Sequence, residues 1–191
     1  MQFRRRAAAV AASAALLTGG LTGCALPGDD EDGGGGNGAG GGGGGGNGVA
    51  ARSVGKGDPK VVDPSKLVVK TTADSTLGKV DLGIAGLTVR GRLAHLIVSL
   101  TPHVPPGRPS PTLYRLNGTN DASLLDTVNL KRYVVVKDSG GSQLGPGIHD
   151  DLNNDAPNTL TFTFAAPPEN VKAVDVQIGK FPIFRDVPIE R

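Results

Sequence analysis

One residue in this 191-residue chain carries a thiol, and its neighbours suggest what that thiol does. Cys24 is the only cysteine, so no disulfide can form within the chain. A lone cysteine can be a catalytic nucleophile, but Cys24 lies near the N-terminus, directly after Leu21, Thr22 and Gly23. This position argues against a catalytic role for the thiol.

The residues that precede this motif look like an export signal. Met1 to Arg6 is short and basic, and Ala7 to Leu17 is an apolar run of 11 residues. A helix of that length measures about 17 Å, which is too short to cross a hydrocarbon core of about 30 Å. A short apolar run behind arginines is instead typical of a signal peptide. We therefore expect this N-terminal segment to be removed from the mature chain.

Leu21-Thr22-Gly23-Cys24 resembles the lipobox of bacterial lipoproteins. The resemblance implies cleavage after Gly23, lipidation of Cys24, and anchoring of the mature chain at the extracytoplasmic face of the cell membrane. An ordinary secretory signal that contains a cysteine by chance is the alternative. The three arginines at 4–6 leave open whether export uses the general or the twin-arginine route.

Residues 24–52 are predicted to be a disordered tether that begins at the lipidated cysteine. They contain an acidic run, Asp29 to Asp32, and then a nearly pure glycine tract from Gly33 to Gly48. Such a sequence has little to bury and much conformational entropy to lose. About 28 flexible residues have a root-mean-square span of roughly 30 Å. We interpret the acidic run as solvated charge rather than as a metal site.

The charge of the mature chain argues against a nucleic-acid partner. Removing the three N-terminal arginines leaves 17 basic and 18 acidic residues, a net charge of −1, with both signs scattered. Nucleic-acid binders need a basic stripe or patch. Lys131-Arg132-Tyr133 could stack on a base, but three residues do not make a patch.

One polar stretch could in principle hold a cation. Asp151, Asn153 and Asp155 alternate as in the start of a calcium loop. An EF-hand loop needs glycine at its sixth position and a bidentate glutamate at its twelfth, whereas this chain has Ala156 and Phe162 there. A polar loop between strands is the simpler interpretation, and we predict neither a metal site nor a cofactor.

Catalytic groups are equally hard to assemble from the sequence. No G-x-S-x-G nucleophile elbow occurs. The three histidines, His95, His103 and His149, are interpreted as the polar face of a strand and two surface loops, and Glu169 and Glu190 lie in a turn and beside the terminus. We therefore predict no catalytic residue and no enzymatic activity.

From Lys66 onward the chain alternates apolar and polar residues between turn signals, which indicates β-strands. The clearest case is Thr159 to Phe164, where Leu160, Phe162 and Phe164 share one face and three threonines share the other. No helical stripe of ten or more residues follows Leu17. Further strands are predicted at Leu67–Thr71, Val80–Ile84, Ala94–Leu100, Thr112–Leu116, Tyr133–Val136 and Val174–Ile178. Seven or eight such strands predict an all-β sandwich over residues 53–191.

The strand pattern resembles an immunoglobulin-like sandwich of actinobacterial envelope lipoproteins. The residues that carry the resemblance are Leu125-Asp126, Lys131 to Val136 with Asp138, Thr161 to Pro168, Val171 to Ile178 and Phe181 to Ile189. They cover about 75 residues. Some relatives add a peptidoglycan-binding domain after this module, but that function does not transfer to the residues seen here.

Together these features predict a lipid-anchored, non-catalytic binding or scaffolding module of the cell envelope. The loops Pro102–Pro111 and Gly140–Asn158 are long for hairpin connections and are the expected recognition elements. An envelope protein or a wall polymer is the expected partner. A small hydrolase or a solute-binding lipoprotein is the alternative, although solute-binding lipoproteins generally need two lobes around a cleft. A plain spacer also remains open.

Overall fold

The computed structural model describes residues 52–54 and 62–191, and these residues form nine strands. In chain order the strands are β1 (Arg52–Val54), β2 (Val69–Asp74), β3 (Lys79–Arg90), β4 (Leu93–His103), β5 (Ala122–Asp126), β6 (Lys131–Val134), β7 (Asn158–Ala165), β8 (Ala173–Ile178) and β9 (Phe184–Pro188). A 3₁₀ turn spans Pro64–Lys66, and α1 spans Leu113–Asn117. Contacts divide the chain into two units, residues 1–44 and 45–191, and every described residue belongs to the second.

The strands form two sheets, which confirms the predicted all-β sandwich. One sheet has the order β1-β7-β4-β3-β2, and the other has the order β6-β5-β8-β9. All neighbouring strands are antiparallel except β1 and β7, which run parallel. The count in the described part exceeds the expected seven or eight, because β1, β5 and β9 have only three, five and five residues and alternate too little to be predicted as strands.

The inner faces of both sheets contribute the core. Leu160, Phe162 and Phe164 are buried together, as their alternation predicted. The inward residues of the neighbouring strands complete the same cluster: Val80, Leu82, Ile84, Ala94, Leu96, Val98 and Leu100 from the first sheet, and Leu124, Val174, Val176, Ile178, Phe184 and Val187 from the second. A period of two places every second residue of a strand on one face, so alternation locates the inward residues of β3, β4, β7 and β8. It does not locate Leu124 of the short β5, or Phe184 and Val187, which lie three residues apart in β9.

The predicted strand at Thr112–Leu116 is wrong, because this segment forms α1. The hydroxyl of Thr112 accepts a hydrogen bond from the Arg115 backbone N–H (3.2 Å) and so caps the first turn. Gly118, in the left-handed region at φ 77°, ends the helix. Leu113 and Leu116 are both buried, and their spacing of three residues is the helical signal that the strand interpretation overlooked.

The face of β7 that carries its threonines is partly buried, whereas the alternation of β7 predicts a solvent-exposed face. Thr159 is 0% exposed, and its hydroxyl accepts a hydrogen bond from the Val62 backbone N–H (2.9 Å). Leu67 lies above Gly83, where a β-carbon would come within 2.4 Å of the leucine Cδ1. The segment that leads into β2 therefore covers part of the outer face of the five-stranded sheet, which alternation along β7 cannot reveal.

The two sheets are joined at both sides. Val89 donates its N–H to the carbonyl of Glu190 (2.7 Å), and Glu190 donates to the carbonyl of Leu87 (2.8 Å). On the other side, Val135 pairs with Phe164. These links cover backbone edges that would otherwise be open to pairing. Neither helical segment of the described part is long or apolar enough to cross a membrane.

The predicted export signal, lipidation site and tether lie outside the described residues. This holds for the signal peptide, for the lipobox residues Leu21, Thr22 and Gly23, for the acceptor Cys24, and for the glycine-rich tether up to residue 51. The expected start of the folded domain, Ser53, falls within β1.

Candidate functional site at one end of the sandwich

One end of the sandwich gathers most of the irregular structure. Register pairs Lys79 with His103 and Leu100 with Asn158, so the β2–β3 turn, the end of β4 and the start of β7 lie together. Gly179, just after β8, donates its N–H to the Asp121 carbonyl (2.8 Å), which brings the β8–β9 turn to the same place. We call this region the loop end. It contains the proline loop (Pro102–Pro111), α1 and the asparagine loop (Gly140–Asn158).

The proline loop and the asparagine loop are bonded to each other. Asn154 pairs with Val104 in both directions: its Oδ1 accepts the backbone N–H (2.7 Å), and its Nδ2 donates to the carbonyl (3.0 Å). The backbone N–H of Asp155 donates to the carbonyl of Pro102 (2.8 Å). Side-chain amides that copy backbone pairing fix two loops in a single geometry. The two loops that the sequence singled out are thus one preorganised surface.

The same joint continues towards α1. Leu152 donates its N–H to the Pro111 carbonyl (2.9 Å), and Tyr114 donates its N–H to the Ile148 carbonyl (2.9 Å). Thr112 and Asp151 form a bridge between these two bonds. Hydrogen bonds therefore connect the helix, the proline loop and the asparagine loop into one unit, which reduces the entropy lost when a partner binds.

His103, at the loop end, is hydrogen-bonded to two carboxylates. Its Nδ1 lies 2.8 Å from Oδ1 of Asp155, and its Nε2 lies 3.0 Å from Oδ2 of Asp81. The hydrogen bond with Asp81, followed by the one with Asp155, raises the pKa of His103 above its ordinary value. His103, with one carboxylate beside each ring nitrogen, therefore joins β3, β4 and the asparagine loop.

Asp81 also borders a groove on the outer face of the five-stranded sheet. The groove has a volume of about 500 Å³ and is lined by Lys70, Thr72, Ser99 and Thr101 among others. Thr72 donates its hydroxyl to Asp81 (2.7 Å). This bond, followed by the one with His103, lowers the pKa of Asp81 below its ordinary value. The carboxylate is therefore already engaged on both oxygens.

An aromatic pair stands on the surface of the loop end. The rings of Tyr114 and His149 have centroids 5.3 Å apart and are tilted by 59°. Tyr114 is nevertheless 54% exposed. An exposed aromatic ring that is already held in place provides large contact area at a small entropic cost, which is why tyrosine is enriched at binding surfaces.

A cleft of about 660 Å³ lies beside this pair. Tyr114, Arg115 and Asn117 line it from α1, Ser75 and Thr76 from the β2–β3 turn, and Lys180 and Phe181 from the β8–β9 turn. The buried Asn117 holds one wall, because its Oδ1 accepts the backbone N–H of Lys180 (2.8 Å). The cleft has the size of small-molecule sites, and its charged residues are Arg115, Lys180 and Asp74.

The residues considered for calcium do not converge on one point. Asp155 is paired with His103, the backbone N–H of Asn153 donates to Oδ1 of Asn158 (2.8 Å), and Asp151 pairs with Thr112 through its backbone. Within residues 52–54 and 62–191, no group of three or more His, Cys, Asp or Glu side chains is arranged to hold a metal ion.

The other residues named from the sequence lie apart from the loop end. His95 lies 3.3 Å from the Thr163 hydroxyl on the outer face of the first sheet. Glu169 accepts a hydrogen bond from Lys172 through its carbonyl, and Glu190 accepts one from the Thr88 hydroxyl (3.4 Å). The exposed Lys131 and Arg132 lie on the outermost strand of the second sheet.

Asp81 and Tyr114 were not among the residues predicted from the sequence to contribute to a site. Asp81 could have been found, because its place between Val80 and Leu82 puts it on the outer face, and the hairpin that follows brings His103 close. Tyr114 was assigned to a strand, so its exposure beside His149 was not foreseen.

Comparison with known proteins finds no family model, no curated protein and no solved structure that matches this chain.

Proposed function

We propose that this chain is a lipoprotein of the bacterial cell envelope, anchored through lipid on Cys24 at the extracytoplasmic face of the membrane, whose β-sandwich binds an envelope partner without catalysis. The anchor rests on the sequence from Leu21 to Cys24 and on the basic and apolar segments before it. The partner is a protein or a wall polymer, and the loop end is the binding surface. The resemblance of the strand pattern to immunoglobulin-like domains of actinobacterial lipoproteins is part of this proposal.

The observation that supports binding most directly is the joining of the two long loops. If the domain were only a spacer, its long loops would not need a fixed conformation. These two loops are instead joined by side-chain and backbone hydrogen bonds. The result is a fixed surface that presents the Tyr114–His149 pair at the border of a cleft. Preorganisation of this kind reduces the entropic cost of association.

The alternative of a small hydrolase finds little support in His103. A general base needs a ring nitrogen directed at the nucleophile, but both nitrogens of His103 are occupied by carboxylates, at 2.8 and 3.0 Å. This arrangement suits a structural ion pair better than proton transfer. The alternative of a solute-binding lipoprotein would place the solute in the cleft beside α1.

Site-specific photo-crosslinking in intact cells tests the binding proposal. A photoreactive amino acid at Tyr114 should capture a discrete envelope partner. The same amino acid at Leu93, which is exposed at the opposite end of β4, is the matched control. Tyr114→Ala combined with His149→Ala should abolish capture by a probe at Arg108, an exposed residue of the proline loop. Equal capture at positions 114 and 93 would contradict a binding surface at the loop end.

A further inference from the structure

The turn between β5 and β6 exposes two aliphatic side chains at the end of the sandwich opposite to the loop end. Val128 is 76% exposed and Leu130 is 90% exposed, the highest values among the large hydrophobic residues that the structure describes as exposed. We call residues 127–130 the apolar tip. Aliphatic groups in water are unfavourable, and neither of these is buried by the fold.

The apolar tip is held rigidly by a buried carboxylate. Asp126 is 2% exposed, and its Oδ1 accepts the backbone N–H groups of Val128 (3.1 Å) and Asn129 (3.0 Å). Its Oδ2 accepts the side-chain amide of Asn129 (2.7 Å). Burial acts to raise the pKa of Asp126, but the hydrogen bonds from Asn129 and Val128 outweigh it and lower the pKa below the ordinary value. The carboxylate therefore stays ionised and fixes the turn.

The conformation of the turn does not require a leucine at position 130. Leu130 has φ 53°, in the left-handed region where glycine and asparagine are favoured and a bulky side chain is strained. Glycine would relieve both this strain and the exposure of the side chain. A leucine in this conformation is therefore better explained by something that it contacts outside the chain.

The residues next to the tip indicate what that contact is. Lys131 and Arg132 are exposed and follow Leu130 directly. The nearest carboxylate along the chain, Asp126, is buried and turned inward to the backbone. Aliphatic side chains flanked by cations suit the boundary of an anionic bilayer, where the apolar groups enter the acyl region and the cations meet the headgroups.

We infer that the apolar tip inserts into the anionic lipid surface of the membrane on which the proposed lipid anchor holds the chain. This inference rests on the membrane location in the proposed function, but it concerns a different part of the molecule. Without the anchor, two aliphatic residues and two cations bind vesicles measurably only when lipid is in large excess. The tether raises their effective concentration at the surface, so that weak contacts suffice.

Insertion of the tip would orient the domain. Ala122 pairs with Ile178 beside the loop end, whereas Asp126 pairs with Lys131 at the other end of β5. A domain seated on the tip therefore points its loop end away from the bilayer. The 29 residues from Cys24 to Arg52 reach at most about 95 Å when fully extended. This reach exceeds the roughly 40 Å length of the 12-residue β3.

An environment-sensitive probe on the tip tests this inference without the lipid anchor. The chain from residue 24 onward, which retains the whole unit of residues 45–191, carries Cys24→Ser and Leu130→Cys, so the introduced thiol is the only one. It is labelled with the fluorophore NBD and mixed with vesicles of phosphatidylcholine, with and without phosphatidylglycerol. The control carries Tyr114→Cys, labelled in the same way at the loop end.

We expect the emission at position 130 to shift to the blue with anionic vesicles only, and to be quenched by brominated lipid, while position 114 does not respond. Lys131→Gln with Arg132→Gln should raise the lipid concentration at half-change roughly 25-fold, because each cation near an anionic surface contributes about fivefold. A tip that stays in water, or a blue shift that depends on protein concentration without lipid, would overturn the inference. Because lipidation is absent here, failure would leave the proposed anchor and the loop-end site untouched.

Discussion

A β-carbon on Gly179 would lie 1.8 Å from Nδ2 of Asn117, so the β8–β9 turn and the end of α1 fit together only because residue 179 has no side chain. Gly179 also has φ 51°, in the left-handed region. Asn117 and Lys180 line the loop-end cleft on either side of this contact. The shape of the cleft therefore depends on one glycine.

Gly179→Ala should destabilise the fold by more than about 1 kcal/mol, because it adds a steric clash to an unfavourable φ. The matched control is Gly91→Ala, which has a similar φ of 59° but nothing within 4 Å of an added β-carbon. Urea denaturation measures the free energy of unfolding of both variants. Equal losses would mean that backbone conformation alone matters and that the contact with Asn117 does not constrain the turn.

The bridge made by His103 predicts a pH-dependent stability. Because hydrogen bonds with Asp81 and Asp155 raise the pKa of His103 in the folded state, the bridge stabilises the fold fully below the unfolded pKa of about 6.5. That contribution is lost as the pH rises through the raised pKa of the folded state. The lowered pKa of Asp81 keeps the partner ionised down to the acid range.

His103→Gln should therefore reduce the free energy of unfolding at pH 5–6 and change it less at pH 8–9. Denaturation of both chains across this range measures the difference. His149→Gln, which leaves the bridge intact, is the control and should not reproduce the pattern. A deficit of His103→Gln that is constant with pH would show that the bridge does not depend on a charged imidazole.

Phe162 should be among the most sensitive core positions, because its side chain is 1% exposed between the sheets. Phe162→Ala should cost about 3–5 kcal/mol in the free energy of unfolding. The neighbouring Thr161 provides the comparison, since its hydroxyl is buried and has no hydrogen-bond partner among the described residues. Thr161→Val keeps the shape, removes that hydroxyl, and should be neutral or stabilising. A large loss at Thr161→Val would imply a partner for the hydroxyl.

Lipidation of Cys24 predicts how the chain partitions between detergent and water. In cells the unaltered chain should enter the detergent phase, because two acyl chains on one cysteine give stable anchoring. Cys24→Ala should move it to the aqueous phase, whereas Ala25→Ser, one residue further on, should not. Detergent partition that survives Cys24→Ala would refute the lipoprotein proposal while leaving the sandwich and its loop end unaffected.

The alternation of apolar and polar residues was sufficient to predict a two-sheet sandwich and much of its core. Leu160, Phe162 and Phe164 face inward because side chains in a strand alternate with a period of two, and that information is local. Local patterns failed where they were short. The five residues of α1 were assigned to a strand, and the three-residue β1 was not recognised.

The site depended on contacts between residues far apart in the chain. The sequence located the proline and asparagine loops, but not their joining through Asn154 and Val104, which are 50 residues apart. It placed His103 in a surface loop; the ring is partly exposed, but His103 is the last residue of β4, and strand register and loop packing set it between Asp81 and Asp155. Composition and spacing determine which segments become strands and loops, and which segment is predicted to be the export signal. Which polar groups meet is decided by register and packing, because those contacts form only when the whole sandwich has folded.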